Sequence, residues 1–236
     1  RIWPEQFTLG VFQQVWDRPS QDLSFLGLLR NSLLVSGGAA VLSVGLGASM
    51  AYAFGRYRFP GRRAGLFSLL AGALLPPVAL MVPLYILLSA LGLRTSLLGL
   101  TIVYTAFAMP FCIWNMRAAF QAVPQELEEA AFLDGATPLV TFRRVSLPLA
   151  LPAIAVAGLA AFLIGYSEFA MGWLFVERSQ NVTLAMAISG MIRGTSLRSW
   201  SNLAALAVMM SMPVVVIFLA LQRYLLSGLL VGNVEE

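Results

Sequence analysis

The chain has 236 residues, 59% hydrophobic and only 11% charged, with a formal net charge of +4. A soluble domain of this length carries about a quarter charged residues, so a mean hydropathy of +0.82 points to an integral membrane protein. All fifteen basic residues are arginine and Cys112 is the one cysteine, which excludes a P-loop lysine, histidine acid–base catalysis, histidine-containing metal sites and an intrachain disulfide.

No cofactor or metal is therefore expected. The arginines sit in loops between apolar runs, a pattern set by membrane topology rather than by a nucleic-acid surface, and no nucleic-acid partner is expected. Cys112 lies within an apolar run and reads as lipid- or core-facing packing.

In chain order, residues 1–23 are mixed in character and form an expected extracytoplasmic segment, with no signal peptide visible. The membrane domain is expected over 24–236. A spanning helix needs about 20 mostly apolar residues, and five stretches qualify: 32–54, 64–91, 97–114, 149–176 and 203–225. Gly37, Gly38, Gly45 and Gly47 would let another helix approach the first span closely. The second is long enough to tilt or bend, with Pro76, Pro77 and Pro83 as kink points.

Orientation follows from arginine in the loops. "GRYRFPGRR", with Arg56, Arg58, Arg62 and Arg63, is expected to be cytoplasmic. So is the loop holding Arg117, Arg143 and Arg144, whereas "GLRTS" and 177–201 fall outside. Five spans put residues 1–23 outside, so a cytoplasmic start needs one further span upstream of Arg1, six in the intact chain.

The loop 124–147 interrupts this apolar chain with polar residues. Pro124 suits the first turn of a helix, and Glu126, Glu128 and Glu129 suit its positive N-terminal end. Leu127 and Ala131 make one apolar face, widened by Ala130 and Leu133. Gly135 stands where a helix ends in a left-handed residue. Thr137 can cap a second helix with Pro138 at its first position, running on to Leu147 and Pro148. The loop thus predicts helix, glycine turn, helix. Either another protein surface docks on it, or it rests as an amphipathic hairpin on lipid headgroups. A DNA-reading helix pair is disfavoured because phosphate would repel the acidic first helix.

Glu129-Ala130-Ala131, three more residues, Gly135, nine more, Val145, one more, then Leu147-Pro148 resembles the EAA signature of ABC importer permeases, EAA-x3-G-x9-I-x-LP. Valine replaces isoleucine and every other fixed position agrees. "AYAFGRYRFPGRR", "LLPPVALMVPLYILLSALGL" and "VPQELEEAAFLDGAT" are similar to maltose-type, MalG-like sugar permeases. The resemblance covers essentially the whole chain and implies an all-α, MetI-like type I importer permease fold. It implies that the helix pair docks into a cleft on an ATPase subunit. The partners implied are a second homologous permease, two copies of the ATPase, an extracytoplasmic substrate-binding protein and a sugar or oligosaccharide. The location implied is a bacterial or archaeal cell (inner) membrane. The chain itself would perform no chemistry. Glycerol phosphate or another polyol is the alternative cargo, and an intramembrane enzyme the remote alternative. The tail "LQRYLLSGLLVGNVEE" departs from that group's usual glycine-rich, basic finish.

Glu168 is the one acid within an expected span, and an intramembrane ionisable residue is a functional candidate. It lies about 20 residues past Pro148, roughly 30 Å along a straight helix. Two readings stay open: a pathway or gate residue, or a structural residue near the outer interface. Tyr166, Trp173, Asn115 and Gln222 offer hydrogen bonds or aromatic faces to sugar hydroxyls, although Trp and Tyr near span ends also serve as interface anchors. The segment 177–201 is longer than a simple connection and resembles the loop that contacts the binding protein in the maltose family.

Overall fold

The computed structural model describes residues 9–17, 19, 23–193 and 198–231. Among the described residues every regular element is helical. A short helix α1 (Gly10–Asp17) precedes the long α2 (Phe25–Arg56), which Ser24 caps by accepting a hydrogen bond from the Gly27 amide.

The second expected span is two helices, α3 (Arg62–Leu74) and α4 (Pro77–Ala90), meeting at 100°. Pro76 forces Leu75 out of the helical region, and Leu75 is extended at ψ 129°. Pro77 then opens α4 at its first turn. Pro83 stays inside α4 without ending it, so one of the three expected kink prolines does not break the chain. α5 (Leu97–Ala122) outruns the 97–114 expected from hydropathy and carries Arg117 in its last turns.

The fourth expected span is likewise interrupted. α9 (Leu151–Ser167) stops at Glu168 and Phe169, and α10 (Ala170–Phe175) follows. The chain then passes through a short 3-10 turn and α11 (Leu184–Arg193) to α12 (Arg198–Val231). Among the described residues three helices are long and apolar enough to cross a membrane unbroken, and two bent pairs, α3 with α4 and Pro138–Leu149 with α9, raise the number to as many as five, in keeping with the five stretches read from the sequence.

α2, α5 and α9 form the centre. α2 and α5 run parallel, because Gly38 meets Thr101 while Gly47 meets Met116 and Gly55 meets Phe120. α9 runs antiparallel to both, with Gly165 on Ser36 and Gly158 on Val44. A Cβ at Gly38 would lie 3.0 Å from Thr101 Cγ2, and one at Gly47 would lie 3.0 Å from Met116 Cε. These two glycines bring α2 against α5, whereas Gly37 and Gly45 meet nothing within 4 Å. Small residues also line the core, where Ala39, Ala108, Ala157 and Ala161 are fully buried beside larger side chains such as Ile113, Met116 and Phe120, and small residues let helices pack closely where lipid removes the hydrophobic drive. Cys112 is buried among them, its thiol directed at the Ala157 carbonyl 3.5 Å away, so it faces the core and not lipid.

Antiparallel packing gives the bundle two distinct ends. Arg56, Val123 and Ser146 meet at one, and Asn31, Thr95, Glu168 and Leu184 cluster at the other.

Candidate functional site

At the first end, α5 leads through Val123 and Pro124 into α6 (Gln125–Leu133). Gly135 follows at φ +83°, a conformation that costs an L-residue roughly 1–2 kcal/mol. Its amide donates to the Phe132 carbonyl at 3.0 Å, and the next amide, Ala136, donates to Ala131 at 2.9 Å, closing the helix with its orphan carbonyls satisfied. α7 (Pro138–Thr141) then begins with Pro138 in its first turn. Thr137 occupies the cap position in extended conformation, but its side chain makes no cap hydrogen bond. A π-helical segment, Phe142–Ser146, carries the chain into α8 (Leu147–Leu149), and the whole of Pro138–Leu149 meets α9 at 78°. The result is an elbow of two short helices outside the central bundle.

The elbow is turned inside out relative to an ordinary amphipathic helix. Leu133 is 90% exposed, and Leu127, Phe132, Leu139 and Val140 are exposed as well. The one buried residue of α6 is an acid, Glu128. One of its oxygens accepts from Arg56 Nε at 3.0 Å and from Ser146 Oγ at 2.6 Å, and Arg56 Nη2 donates to the Val123 carbonyl at 2.5 Å. Next to this group Tyr52, one turn earlier in α2, packs its ring 4.8 Å from Phe142 and 5.5 Å from Phe120. Glu129 and Ala130 are exposed, Ala131 and Leu147 half-buried, and Pro148 exposed. The elbow therefore offers an apolar surface carried on a base that the Glu128 carboxylate ties together.

At the opposite end, Asn31 of α2 donates to the Gln180 and Val182 carbonyls at 2.7 and 2.9 Å, and the Leu184 amide donates to Ser32 Oγ at 2.8 Å. Thr95, at φ +62°, donates its amide to Phe175 at 2.8 Å and accepts from Asn181 Nδ2 at 2.6 Å through its carbonyl. Arg94 pairs with Glu177 and also reaches the Tyr85 hydroxyl. The hydrogen bond that the Arg94 guanidinium donates to the Glu177 carboxylate raises Arg94 above its ordinary pKa. Residues 177–184 are thus tied to both the start of α2 and the turn before α5. Residues 194–197 of the expected outer loop, and the five after Val231, lie outside the described residues.

Of the candidate pathway residues, Glu168 stands in the break between α9 and α10. Its two oxygens accept from the Met171 and Gly172 amides at 3.0 and 3.3 Å, and one accepts from the Tyr104 hydroxyl at 2.7 Å. It therefore caps α10 and fixes the break to α5. Tyr166 is buried, stacks on Phe162 and donates to the Met210 carbonyl at 3.0 Å. Trp173 is partly exposed, its ring against Gly190. Asn115 lies on α5 eleven residues beyond Tyr104, roughly 16 Å along the helix, with a buried side-chain oxygen that no donor reaches. Gln222 is exposed near the end of α12. Glu168, Tyr166 and Trp173 share one end of the bundle, and Asn115 and Gln222 do not join them. An open cleft between α2, α9 and α12, lined by Gly37, Val41, Gly158, Phe162 and Leu221 among others, is apolar throughout and offers a hydroxylated solute nothing to bond.

Of the residues that organise both ends, Arg56 reads in sequence only as a topology signal and Glu128 only as a charge at a helix N-terminus, and Ser146, Asn31 and Tyr104 carry no signal there.

Residues 43–230 match the family described as the binding-protein-dependent transport system inner membrane component. The chain belongs to this family. It is 34% identical over 212 residues to the maltose/maltodextrin transport system permease protein MalG of Escherichia coli (strain K12), which spans 88% of this chain and 71% of MalG. It is 32% identical over 212 residues to the trehalose transport system permease protein SugB of Mycobacterium tuberculosis, spanning 89% of this chain and 77% of SugB. Among solved structures, a chain of a bacterial ABC transporter involved in the import of the acidic polysaccharide alginate superposes with a TM-score of 0.77 at 23% identity, over 91% of this chain and 78% of that one. That likeness supports the fold. This permease is accordingly a membrane-embedded subunit of an ABC importer, and its elbow and both of its hydrogen-bonded ends except Asn31 and Ser32 fall within the matched residues.

Proposed function

We propose that this permease imports a sugar or oligosaccharide, and that its elbow is the seat of an ATPase subunit. The observation that carries the reading is the inversion of α6. Leu133, Phe132, Leu139 and Val140 are held out toward a partner by a glycine turn and a buried ion pair. An exposed apolar patch on a polar loop marks an interaction surface. Its residues Glu129, Ala130, Ala131, Gly135, Leu147 and Pro148 agree with the EAA pattern, and the elbow shares an end of the bundle with the arginine-rich loop 56–63, as a cytoplasmic position requires. A headgroup-resting hairpin is less favoured, because its apolar and polar faces would lie along one membrane plane, whereas here the elbow stands on the end of the bundle.

The cargo class follows from similarity to MalG and SugB. The assembly comprises this chain, a second permease, two ATPase copies and an extracytoplasmic binding protein that meets the 177–201 side, in the cell (inner) membrane. ATP closes the ATPase pair, the elbow moves, and the spans open outward to receive cargo; hydrolysis resets them. No chemistry takes place on this chain.

The test is copurification of the tagged, full-length protein from its native membrane in mild detergent, followed by uptake in proteoliposomes. Recovery of an ATPase, a second permease and a binding protein that takes up a sugar is expected. A protein that comes down alone, under conditions that preserve a known importer, overturns the reading, and a binding protein selective for glycerol phosphate or another polyol corrects the cargo.

A further inference from the structure

We infer that α2 is the connecting rod of this permease, attached by Arg56, Glu128 and Ser146 to the ATPase-facing elbow and by Asn31 and Ser32 to the 180–184 loop at the other end. The inference rests on the reading that the elbow docks on an ATPase.

At the elbow end one carboxylate oxygen joins three elements: α2 through Arg56, α6 on which it sits, and the π-helical segment through Ser146. The same guanidinium holds the turn between α5 and α6 through Val123. The Arg56 and Glu128 side chains are only 6% and 9% exposed. A buried ion pair adds little net stability compared with apolar packing, and its best attested use is to fix register or a switch. Its position is informative too, because the residue of α6 that is buried is this acid, while Leu127 and Leu133 of the same helix face outward. Ser146 ends a π-helical segment, and π-turns concentrate at functional positions. None of the three joint residues belongs to the EAA signature; that signature's exposed Glu129 and Ala130 are left free to meet the partner.

At the far end the attachment is equally specific. Asn31 spends both amide hydrogens on the carbonyls of Gln180 and Val182, and Ser32 receives the Leu184 amide that opens α11. Between Asn31 and Arg56 the helix is unbroken, a span of roughly 38 Å at the α-helical rise. It lies in the centre, against α5 and α9 along its length. α3–α4 and α9–α10 both contain breaks, so neither carries an axial displacement from end to end. α5 is also unbroken and leads into α6 as a continuation of the chain, whereas α2 is joined to the elbow through side chains of α6 and the π-helical segment. A movement of the elbow is delivered by α2, packed against α5, to the loop that follows α10, and loading of that loop is felt at the elbow.

The test uses the complete transporter, with ATPase and binding protein, in proteoliposomes. Uptake and ATP hydrolysis are measured together, without and with loaded binding protein. Glu128→Gln, Arg56→Gln and Asn31→Leu are each expected to lower cargo moved per ATP at least tenfold and to abolish stimulation of hydrolysis by the binding protein. For Asn31→Leu, at the opposite end of the bundle from the elbow, basal hydrolysis stays within twofold. Arg56→Lys keeps a charged donor and retains at least half of the coupling, and Ser146→Ala loses three- to tenfold. If the stronger variants fail to assemble, Ser146→Ala carries the test with its three- to tenfold loss. Assembled variants with wild-type cargo per ATP, or with uptake and hydrolysis falling in equal proportion, overturn the inference. A wild-type chain that binds no ATPase overturns the underlying reading instead, and is seen before any variant is made.

Discussion

Glu168 offers the sharpest division between holding the fold and touching the cargo. Glu168→Ala removes the acceptor of two backbone amides at the start of α10 and leaves the Tyr104 hydroxyl, 1% exposed as a residue, without its partner. Losing a helix cap costs about 1 kcal/mol, and orphaning a buried hydroxyl costs about 1–3 kcal/mol more, so the expected loss is roughly 2–4 kcal/mol. On the scale that holds for chains of this length, each kcal/mol lowers Tm by about 2–4 °C. The detergent-purified assembly should therefore melt roughly 4–15 °C lower by thermal-shift fluorimetry. Glu168→Gln keeps a carbonyl acceptor and should lose about a third of that. Tyr104→Phe combined with Glu168→Ala should be less damaging than the sum, since both delete one hydrogen bond. An unshifted Tm for Glu168→Ala, with uptake lost, would refute the structural reasoning and return the residue to the pathway.

Other substitutions separate backbone from packing. At Gly135 a Cβ meets nothing within 4 Å, so Gly135→Ala costs only the left-handed backbone, about 1–2 kcal/mol, and Gly135→Asn less. Gly135→Pro also removes the donor to Phe132 and cannot adopt a positive φ; uptake is expected to vanish while the protein still inserts, and normal uptake at normal expression would contradict this. Gly47→Leu overpacks the α2–α5 contact, about 1–3 kcal/mol, whereas Gly37→Ala, whose added Cβ meets nothing within 4 Å, should not lower the Tm of the purified chain. Thr95→Asn relieves a β-branched residue held at positive φ and should raise Tm; a fall would show that its side-chain contacts outweigh the strain.

Much of the architecture was legible because the bilayer imposes it. Apolar length fixed the spans, Leu75 before two prolines fixed the α3–α4 break, and Gly135 with Pro138 fixed the elbow, each through a local backbone constraint. What stayed hidden was non-local. Nothing near Glu128 announces that Arg56, 72 positions earlier, will enclose it, so in sequence it reads like its neighbours Glu126 and Glu129, as a charge suited to a helix N-terminus. The end of α9 was hidden for a related reason. Glu168 is no common cap residue, and an apolar run on both sides of it reads as one continuous helix until Tyr104 is brought alongside. The π-helical segment "FRRVS" carries no composition that distinguishes it from an ordinary turn of helix.

If the ATPase sits on the exposed face of the elbow, a crosslinker carried on that face captures it. The most direct measurement places a photo-crosslinking benzoyl-phenylalanine at Leu133 or, as a control, at Val78, both exposed, in the intact transporter in its membrane. The account predicts an adduct with the ATPase subunit from position 133, weakened by Gly135→Pro, and none from position 78. Adducts with lipid alone at 133, or equal ATPase yields from both positions, would contradict it.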